Sequence, residues 1–343
     1  MRIDDIARLA LGLLPVLLFL AALQAMDSYK LVPRGKILTA LAAGAVAALV
    51  CYQFNTFIFQ HAPEDQDRYA LFGAPAAEEL AKAAYWIFLI ATARVAFLVD
   101  SAICAFAVGA GFALVENIFY LHVLEGKTMG VWLLRGFGTA VMHGGVAALG
   151  AIISSYLLET RQWSGLRLFA PGLLAAIALH SLFNQGLLSP AASTAVTVAG
   201  LPLILGLAFY ASERSLRAWL GGKLDRDIDM LNMIADGTFY KTRSGAYLMS
   251  LHDAFPAEIR GDMLCLLQLT IELSVRAKSD LLFREVGLEL APDPKLGAQL
   301  KELKYLEKSI GPTGMLAVRP LLSQTPRDLW EAHRLAQAGV RDW

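Results

Sequence analysis

The chain has 343 residues, of which 56% are hydrophobic and only 17% are charged, and its net charge is zero. With a mean hydropathy of +0.51, this composition is typical of an integral membrane protein and excludes an ordinary soluble domain. The balanced charge gives no argument for nucleic acid, so we expect no such partner.

Seven apolar runs approach the roughly 20 residues that a membrane-spanning helix needs. In chain order they cover about residues 7–26, 37–59, 71–93, 97–122, 131–158, 168–188 and 193–212. The first run ends in ALQA, which imitates a signal-peptide cleavage site, but the neutral segment MRIDDIAR before it favours a retained span. The sequence therefore predicts an all-α, polytopic membrane helix bundle of about seven spans.

Charged residues are concentrated in the C-terminal part of the chain. Residues 1–212 hold 24 of the 60 Asp, Glu, Lys and Arg residues, and residues 213–343 hold the other 36. We therefore predict a transmembrane domain over 1–212 and a soluble domain over 213–343. Apolar residues recur at helical spacing over 223–236, 256–290, 294–310 and 326–338. This pattern predicts a small helical domain that serves regulation or binds a cytoplasmic partner.

The loops between spans differ in their content of Lys and Arg, which sets the orientation of a membrane protein. The basic residues that follow spans one, three, five and seven are Lys30, Arg34, Lys36, Arg94, Arg161, Arg167, Arg214, Arg217, Lys223 and Arg226. The alternate loops are acidic or nearly uncharged. This bias predicts a cytoplasmic C-terminus.

Ionisable side chains within spans are costly and usually face a bundle interior or a wet cavity. Apart from residues at span ends, the polar set comprises Glu78, Glu79, Lys82, Glu116, Asn117, Arg135, His143, His180 and Asn184, all in spans three to six. With a rise of about 1.5 Å per residue, Glu78, Glu116, His143, His180 and Asn184 fall roughly 6 to 18 Å from one membrane surface. We therefore expect a single polar site in one half of the bilayer.

The spacing of the charged residues in span three is compatible with two alternative ion pairs. Lys82 can pair with Glu78 at i, i+4, which leaves Glu79 pointing elsewhere, or with Glu79 at i, i+3, which frees Glu78. His180 and Asn184 share one helix face because they are also at i, i+4. A simpler role is available to some of these side chains, since Asn184 can join neighbouring helices by hydrogen bonds.

Arg135 lies only about four residues inside span five. Its long side chain can therefore extend to the membrane interface, which we expect in preference to a role in the site.

These residue types suit hydrolysis by an activated water. A buried glutamate next to a second one can act as general base, and a neutral imidazole can orient water or bind a metal. An asparagine amide can donate to an oxyanion. The sequence lacks the HExxH motif of common zinc proteases. A glutamate-activated water and a water bound to a divalent metal such as zinc, with His143 and His180 as ligands, both stay open.

Four segments resemble the signature blocks of the PrsW-type intramembrane proteases, which are related to the CAAX-prenyl endopeptidases of the CPBP superfamily. They are EELAK at 78–82, GAGFALVEN at 109–117, RGFGTAVMHGGVAALGA at 135–151 and HSLFNQ at 180–185. The resemblance implies a metallo- or glutamic-type endopeptidase of the bacterial cell membrane, with its active core in 71–188. Its substrate would be a membrane-anchored protein such as an anti-sigma factor, cut at a first site.

The same resemblance implies a set of catalytic residues. It assigns Glu78, Glu79, His143, His180 and Asn184 to the catalytic site. Glu116 and Asn117 match a further block of the family and are counted with the candidates.

Two other classes of function stay open at the level of sequence. One is a transporter or ion channel that uses the buried charges as a cation path, and the other is a non-catalytic membrane binding protein. We see no inverted repeat in the hydropathy, and spans one, two and seven have almost no charge at their centres, which argues against a transporter.

Overall fold

The structure, a computed structural model, describes residues 3–61, 65–124, 127–288, 293–322 and 325–341, with the backbone alone for residues 3 and 336–341. The protein is 86% helical, and no strand occurs in these ranges. The prediction of an all-α membrane bundle is therefore confirmed.

Two compact units divide the chain, Met1–Arg214 and Ser215–Trp343. The first contains α1 Ile3–Ala25, α2 Arg34–His61, α3 Gln66–Arg68, a π-helical segment Tyr69–Gly73, α4 Ala74–Ala91, α5 Leu98–Val123, α6 Met129–Leu134, a second π-helical segment Arg135–Ala140, α7 Val141–Arg161, α8 Leu166–Asn184 and most of α9 Pro190–Ala235. The second contains the end of α9, α10 Arg243–Ser250, α11 Ala257–Glu285, α12 Leu296–Val318 and α13 Pro326–Arg341.

Six helical runs in the described ranges are long and apolar enough to cross a membrane: α1, α2, α5, the run from α6 to α7, α8 and α9. The predicted third span is also a helix, α4, but Glu78, Glu79 and Lys82 lie within its 18 residues. Because these charges interrupt its apolar character, α4 differs from the other spans in composition and not in helical continuity.

Helix α5 lies at the centre of the first unit. Every residue from 98 to 113 is buried, and α1, α2, α4 and α7 pack against it. Glycines allow these backbones to approach closely, as is common between membrane helices. A Cβ on Gly109 would lie 2.2 Å from the carbonyl oxygen of His143 on α7, and one on Gly111 would lie 2.0 Å from that of Leu41 on α2. The close contact at Gly109 places His143 directly against α5.

The helical pattern of the C-terminal part is present. The predicted stretch 223–236 belongs to α9, which runs without a break from Pro190 to Ala235 and ends before Gly237, which has φ +67°. A change from lipid-facing to water-facing composition does not require the backbone to leave the helical conformation. The helix predicted at 256–290 ends at Glu285, and its last two positions lie outside the described residues.

The second unit has an apolar core with one buried ion cluster. Lys278 is fully buried, and its Nζ lies 2.7 Å from Asp227 Oδ2 and 3.2 Å from Glu331 Oε1. Burial raises the pKa of Glu331, although the nearby Lys278 acts in the opposite direction. This cluster joins α9, α11 and α13 within the unit.

Candidate active site

Helix α4 brings the two adjacent carboxylates into the first unit. Pro75 lies in its first turn, and Glu79 and Lys82 are buried, whereas Glu78 is half-buried. Lys82 Nζ lies 2.5 Å from Glu79 Oε1. Of the two pairings that the spacing allowed, the structure therefore contains the one at i, i+3. Glu78 instead accepts a hydrogen bond from Asn55 Nδ2 of α2, at 3.4 Å.

His180 of α8 lies between the two glutamates. Its Nδ1 is 2.8 Å from Glu79 Oε1, and its Nε2 is 3.9 Å from Glu78 Oε2. A carboxylate can only accept, so Nδ1 carries the proton in the hydrogen bond to Glu79. In the neutral ring, Nε2 then presents its lone pair towards Glu78. A histidine oriented by a carboxylate in this way is typical of metal sites and of sites that orient water.

His143 of α7 completes the cluster from the other side. Its ring is buried and perpendicular to that of His180, with the centroids 4.8 Å apart. Its Nδ1 lies 2.9 Å from Lys82 Nζ, and its Nε2 lies 2.9 Å from Glu116 Oε2. An ammonium can only donate, so Nδ1 accepts from Lys82 and Nε2–H donates to Glu116.

The structure brings most of the candidate residues together. Glu78, Glu79, Glu116, His143 and His180 form one connected cluster from α4, α5, α7 and α8. Of the five side chains expected at one level, Glu78, Glu116, His143 and His180 belong to this cluster and Asn184 does not.

Two candidate residues are placed differently. Asn184 is exposed and donates a 3.4 Å hydrogen bond to the carbonyl oxygen of Ala70. Asn117 is buried and donates to the carbonyl oxygen of Gly12 on α1, at 2.8 Å. Asn117 therefore connects helices beside the site instead of facing His180.

Sequence reasoning misjudged or missed three residues near the cluster. Arg135 does not extend to the interface, because its Nε donates to Asn117 Oδ1 at 2.9 Å and its side chain is only 14% exposed. Asn55 and Tyr69 were not singled out, although the Tyr69 hydroxyl donates to Asn55 Oδ1 at 2.6 Å and Asn55 in turn contacts Glu78. The available signal was the presence of a polar amide within an apolar span.

The cluster contains a donor set that suits a divalent metal. Glu78, His143 and His180 each offer one ligand atom, and these atoms lie within 4.8 Å of one another. Three protein ligands with a further position for water are typical of catalytic zinc sites. The carboxylate of Glu79 behind His180 is the kind of outer partner that fixes a metal-binding imidazole. The residues present therefore fit such an ion, which would replace Lys82 as the partner of His143 Nδ1.

Buried carboxylates and imidazoles among membrane-spanning helices are found in the class of intramembrane hydrolases. Comparison with known families agrees, since the model described as PrsW family intramembrane metalloprotease matches residues 32–211, just over half of the chain. The chain therefore belongs to the PrsW family, is an integral membrane protein and is an intramembrane protease. The family predicted from the four sequence segments is confirmed. No curated protein and no solved structure matches the chain.

Proposed function

We propose that the protein cleaves a membrane-anchored protein with Glu78 as the general base. The observation that carries this assignment is the difference between two adjacent carboxylates. Glu79 is buried and bonded to both Lys82 and His180, whereas Glu78 is half-buried and faces His180 Nε2. A base must reach the water whose proton it accepts, and Glu78 is the glutamate with that access.

The two histidines and Asn184 have supporting roles in this proposal. His180 and His143 orient the attacking water, each held by a carboxylate, Glu79 and Glu116 respectively. Asn184 lies one turn from His180 and donates to the developing oxyanion of the scissile peptide. Its present bond to a backbone carbonyl is long, at 3.4 Å, so the amide can exchange that acceptor for the substrate.

A divalent metal such as zinc would be held by His143, His180 and one carboxylate oxygen of Glu78, which would leave the other oxygen of Glu78 to act as the base. When bound, the metal would supply polarisation of water and of the peptide carbonyl. The contribution of the chain itself is then to hold the two imidazoles. Glu79 fixes His180 through Nδ1, and Glu116 fixes His143 through Nε2.

An apolar groove beside the two histidines supports a membrane-embedded substrate. It encloses about 420 Å³ and is lined by residues of α7, α8 and α9. Met142 and Leu179, which directly precede His143 and His180 in the chain, are part of its wall, as is Gly200 on α9. We propose that an apolar segment of the substrate lies in this groove, continuous with the site at which it is cut.

Filling the groove tests this part of the proposal. A Cβ on Gly200 would meet no atom within 4 Å, so Gly200→Leu adds volume to the groove without a clash at its first atom. We expect slower cleavage with an unchanged level of folded protein. Gly206→Leu is the matched control on the same helix, since Gly206 is equally open and does not line the groove. Equal rates for both variants would contradict the assignment of the groove.

We propose the bacterial cell (inner) membrane as the location and an anti-sigma-type regulator as the substrate, both on the basis of family resemblance. We further propose that residues 1–212 form the protease domain and that residues 213–343 form a cytoplasmic domain that binds a partner. The basic loops after alternate spans support this orientation. A reporter fused after Trp343 should be cytoplasmic and one at Asp65 external; the reverse result at both positions would contradict it.

The experiment that tests the function is a comparison of membrane proteomes from cells with the wild-type protein and with Glu78→Gln. We expect one single-span protein to accumulate uncleaved in the variant. The new terminus that cleavage creates in or beside its membrane segment should be found only with the wild-type protein. Glu159→Gln, at the exposed end of α7, is the matched control. Identical proteomes at equal enzyme levels, together with an altered ion flux, would instead support a transporter.

A further inference from the structure

Arg135 contacts two consecutive residues of α5 from the π-helical segment that precedes α7. Its Nε donates to Asn117 Oδ1 at 2.9 Å, and one terminal nitrogen lies 3.4 Å from Glu116 Oε1. Its guanidinium also lies over the ring of Tyr120, 3.8 Å from the centroid. A planar guanidinium that meets two acceptors and one ring has a fixed orientation, which a lysine cannot reproduce.

Asn117 is itself fixed by a contact on its other side. Its Nδ2 donates to the carbonyl oxygen of Gly12 at 2.8 Å, so its Oδ1 must face Arg135. Gly12 leaves little room for movement, since a Cβ there would lie 3.3 Å from the Trp132 ring. Helix α1 thus anchors the amide that holds Arg135.

Glu116 contacts both Arg135 and His143, so the fixed position of Arg135 also restricts the His143 ring. Its Oε1 faces Arg135, and its Oε2 lies 2.9 Å from His143 Nε2. We propose that Arg135 is a positioning residue that acts through Glu116, and together with the Lys82 ammonium at Nδ1, to hold His143 in the Nε2–H tautomer. The inference rests on the proposed function only in counting His143 as part of the active site.

The π-helical segment explains how Arg135 and His143, which are eight positions apart in one chain segment, both contact Glu116. In a regular α-helix, residues eight positions apart are separated by about 12 Å along the axis and point roughly 80° apart. The wider turns of Arg135–Ala140 change that relation, and both Arg135 and His143 reach the carboxylate of Glu116. Single π-helical turns inside longer helices are frequent at functional sites.

The tautomer can be measured without any substrate. In protein labelled with ¹⁵N-histidine in detergent micelles, His143→Gln identifies the signals of His143 among the six histidines. We expect the wild-type ring to be protonated at Nε2. In Arg135→Gln only Lys82 at Nδ1 still favours Nε2–H, so the ring should gain a measurable share of the Nδ1–H tautomer. Arg161→Gln, at an exposed arginine at the end of α7, should leave the signals unchanged. An unchanged Nε2–H tautomer in Arg135→Gln would overturn the inference.

Cleavage rates test whether Arg135 acts through Glu116. The probe is the membrane protein that accumulates in Glu78→Gln cells, assayed in isolated membranes. Loss of an outer partner of a site histidine typically lowers activity about 10- to 100-fold, which we expect for Arg135→Gln. In a Glu116→Gln background the same substitution should cause little further loss. Full additivity of the two losses would overturn the inference.

Arg135→Lys keeps the experiment decisive if the glutamine variant fails to insert. It retains a positive charge near Glu116 but loses the planar contact with Asn117, so we expect a mixed tautomer and an intermediate rate. A fully wild-type tautomer and rate for Arg135→Lys would contradict a positioning role. Absence of proteolysis by the wild type would contradict the proposed function alone, because the tautomer reports on Arg135 independently.

Discussion

His180 distinguishes the two adjacent glutamates of α4, because its Nδ1 lies 2.8 Å from Glu79 Oε1 while its Nε2 lies 3.9 Å from Glu78 Oε2. Neighbouring residues on a helix point about 100° apart, so one ring between them gives each carboxylate a different task. Glu79 orients the imidazole, and Glu78 shares the reactive side of the ring. Five predictions follow from this division and from the surrounding contacts.

Lys82 and Glu79 form a buried ion pair whose partners depend on each other. Removing one partner of such a pair typically costs about 3–5 kcal/mol, because a buried charge remains uncompensated. We expect Lys82→Met to lower the thermal unfolding temperature in detergent and Glu79→Gln/Lys82→Met to recover part of the loss. Lys127→Met, at an exposed loop position, is the control. An unchanged unfolding temperature for Lys82→Met would contradict the contribution of the pair.

Metal removal should abolish cleavage, since Glu78, His143 and His180 offer ligand atoms within 4.8 Å of one another. We expect dialysis against a chelator to remove one divalent ion per chain and zinc to restore activity. Mass spectrometry should find the ion lost in His180→Ala and retained in His61→Ala, an exposed histidine at the end of α2. Full activity after exhaustive removal of metal would support a glutamate-based site without an ion.

Asn184→Ala should reduce cleavage without abolishing it. Removal of one oxyanion donor typically costs about 10²–10³ in rate. The exposed position of Asn184 and its long bond to Ala70 predict little effect on thermal stability. Gln185→Ala, at the next exposed position, is the control. A rate loss below tenfold would show that Asn184 does not donate to the transition state.

Truncation after Leu224 should leave residual proteolysis. All the proposed catalytic residues lie in the first unit, and the apolar core of the second unit begins with Met230, so this cut removes that core entirely. The expected residual cleavage should disappear when Glu78→Gln is added to the truncated chain. A truncated protein that inserts correctly and cleaves nothing would show that the second unit is needed for catalysis.

The sequence predicted the clustering of the site because alternating spans bring residues of equal depth to one level. Glu78, Glu116, His143 and His180 obey that rule, since each is on a regular helix that crosses the bundle. Depth does not determine which way a helix is rotated about its axis. For that reason the roles of Arg135 and Asn117, whose partners lie on other helices, could not be derived from spacing.

The C-terminal end of α9 coincides with a specific residue and not with the change in composition. Gly237 ends α9 with φ +67°, whereas the change from apolar to charged residues near position 213 leaves the helix intact. The sequence could not predict which glutamate pairs with Lys82, because both i, i+3 and i, i+4 pairs are sterically possible on a helix. In the structure Lys82 pairs with Glu79, whose carboxylate also accepts from His180 of α8.

The assignment of Glu78 as general base is tested most directly by two variants that differ only in which adjacent glutamate becomes an amide. Purified Glu78→Gln and Glu79→Gln would be placed in liposomes with the membrane protein that accumulates in Glu78→Gln cells, at equal enzyme amounts. Glu78→Gln should show no cleavage, because an amide cannot accept the proton of water. Glu79→Gln should retain intermediate activity at equal amounts of folded enzyme, because it weakens the hold on His180 and breaks the ion pair with Lys82 but keeps the base. Full cleavage by Glu78→Gln together with an inactive Glu79→Gln would contradict the assignment.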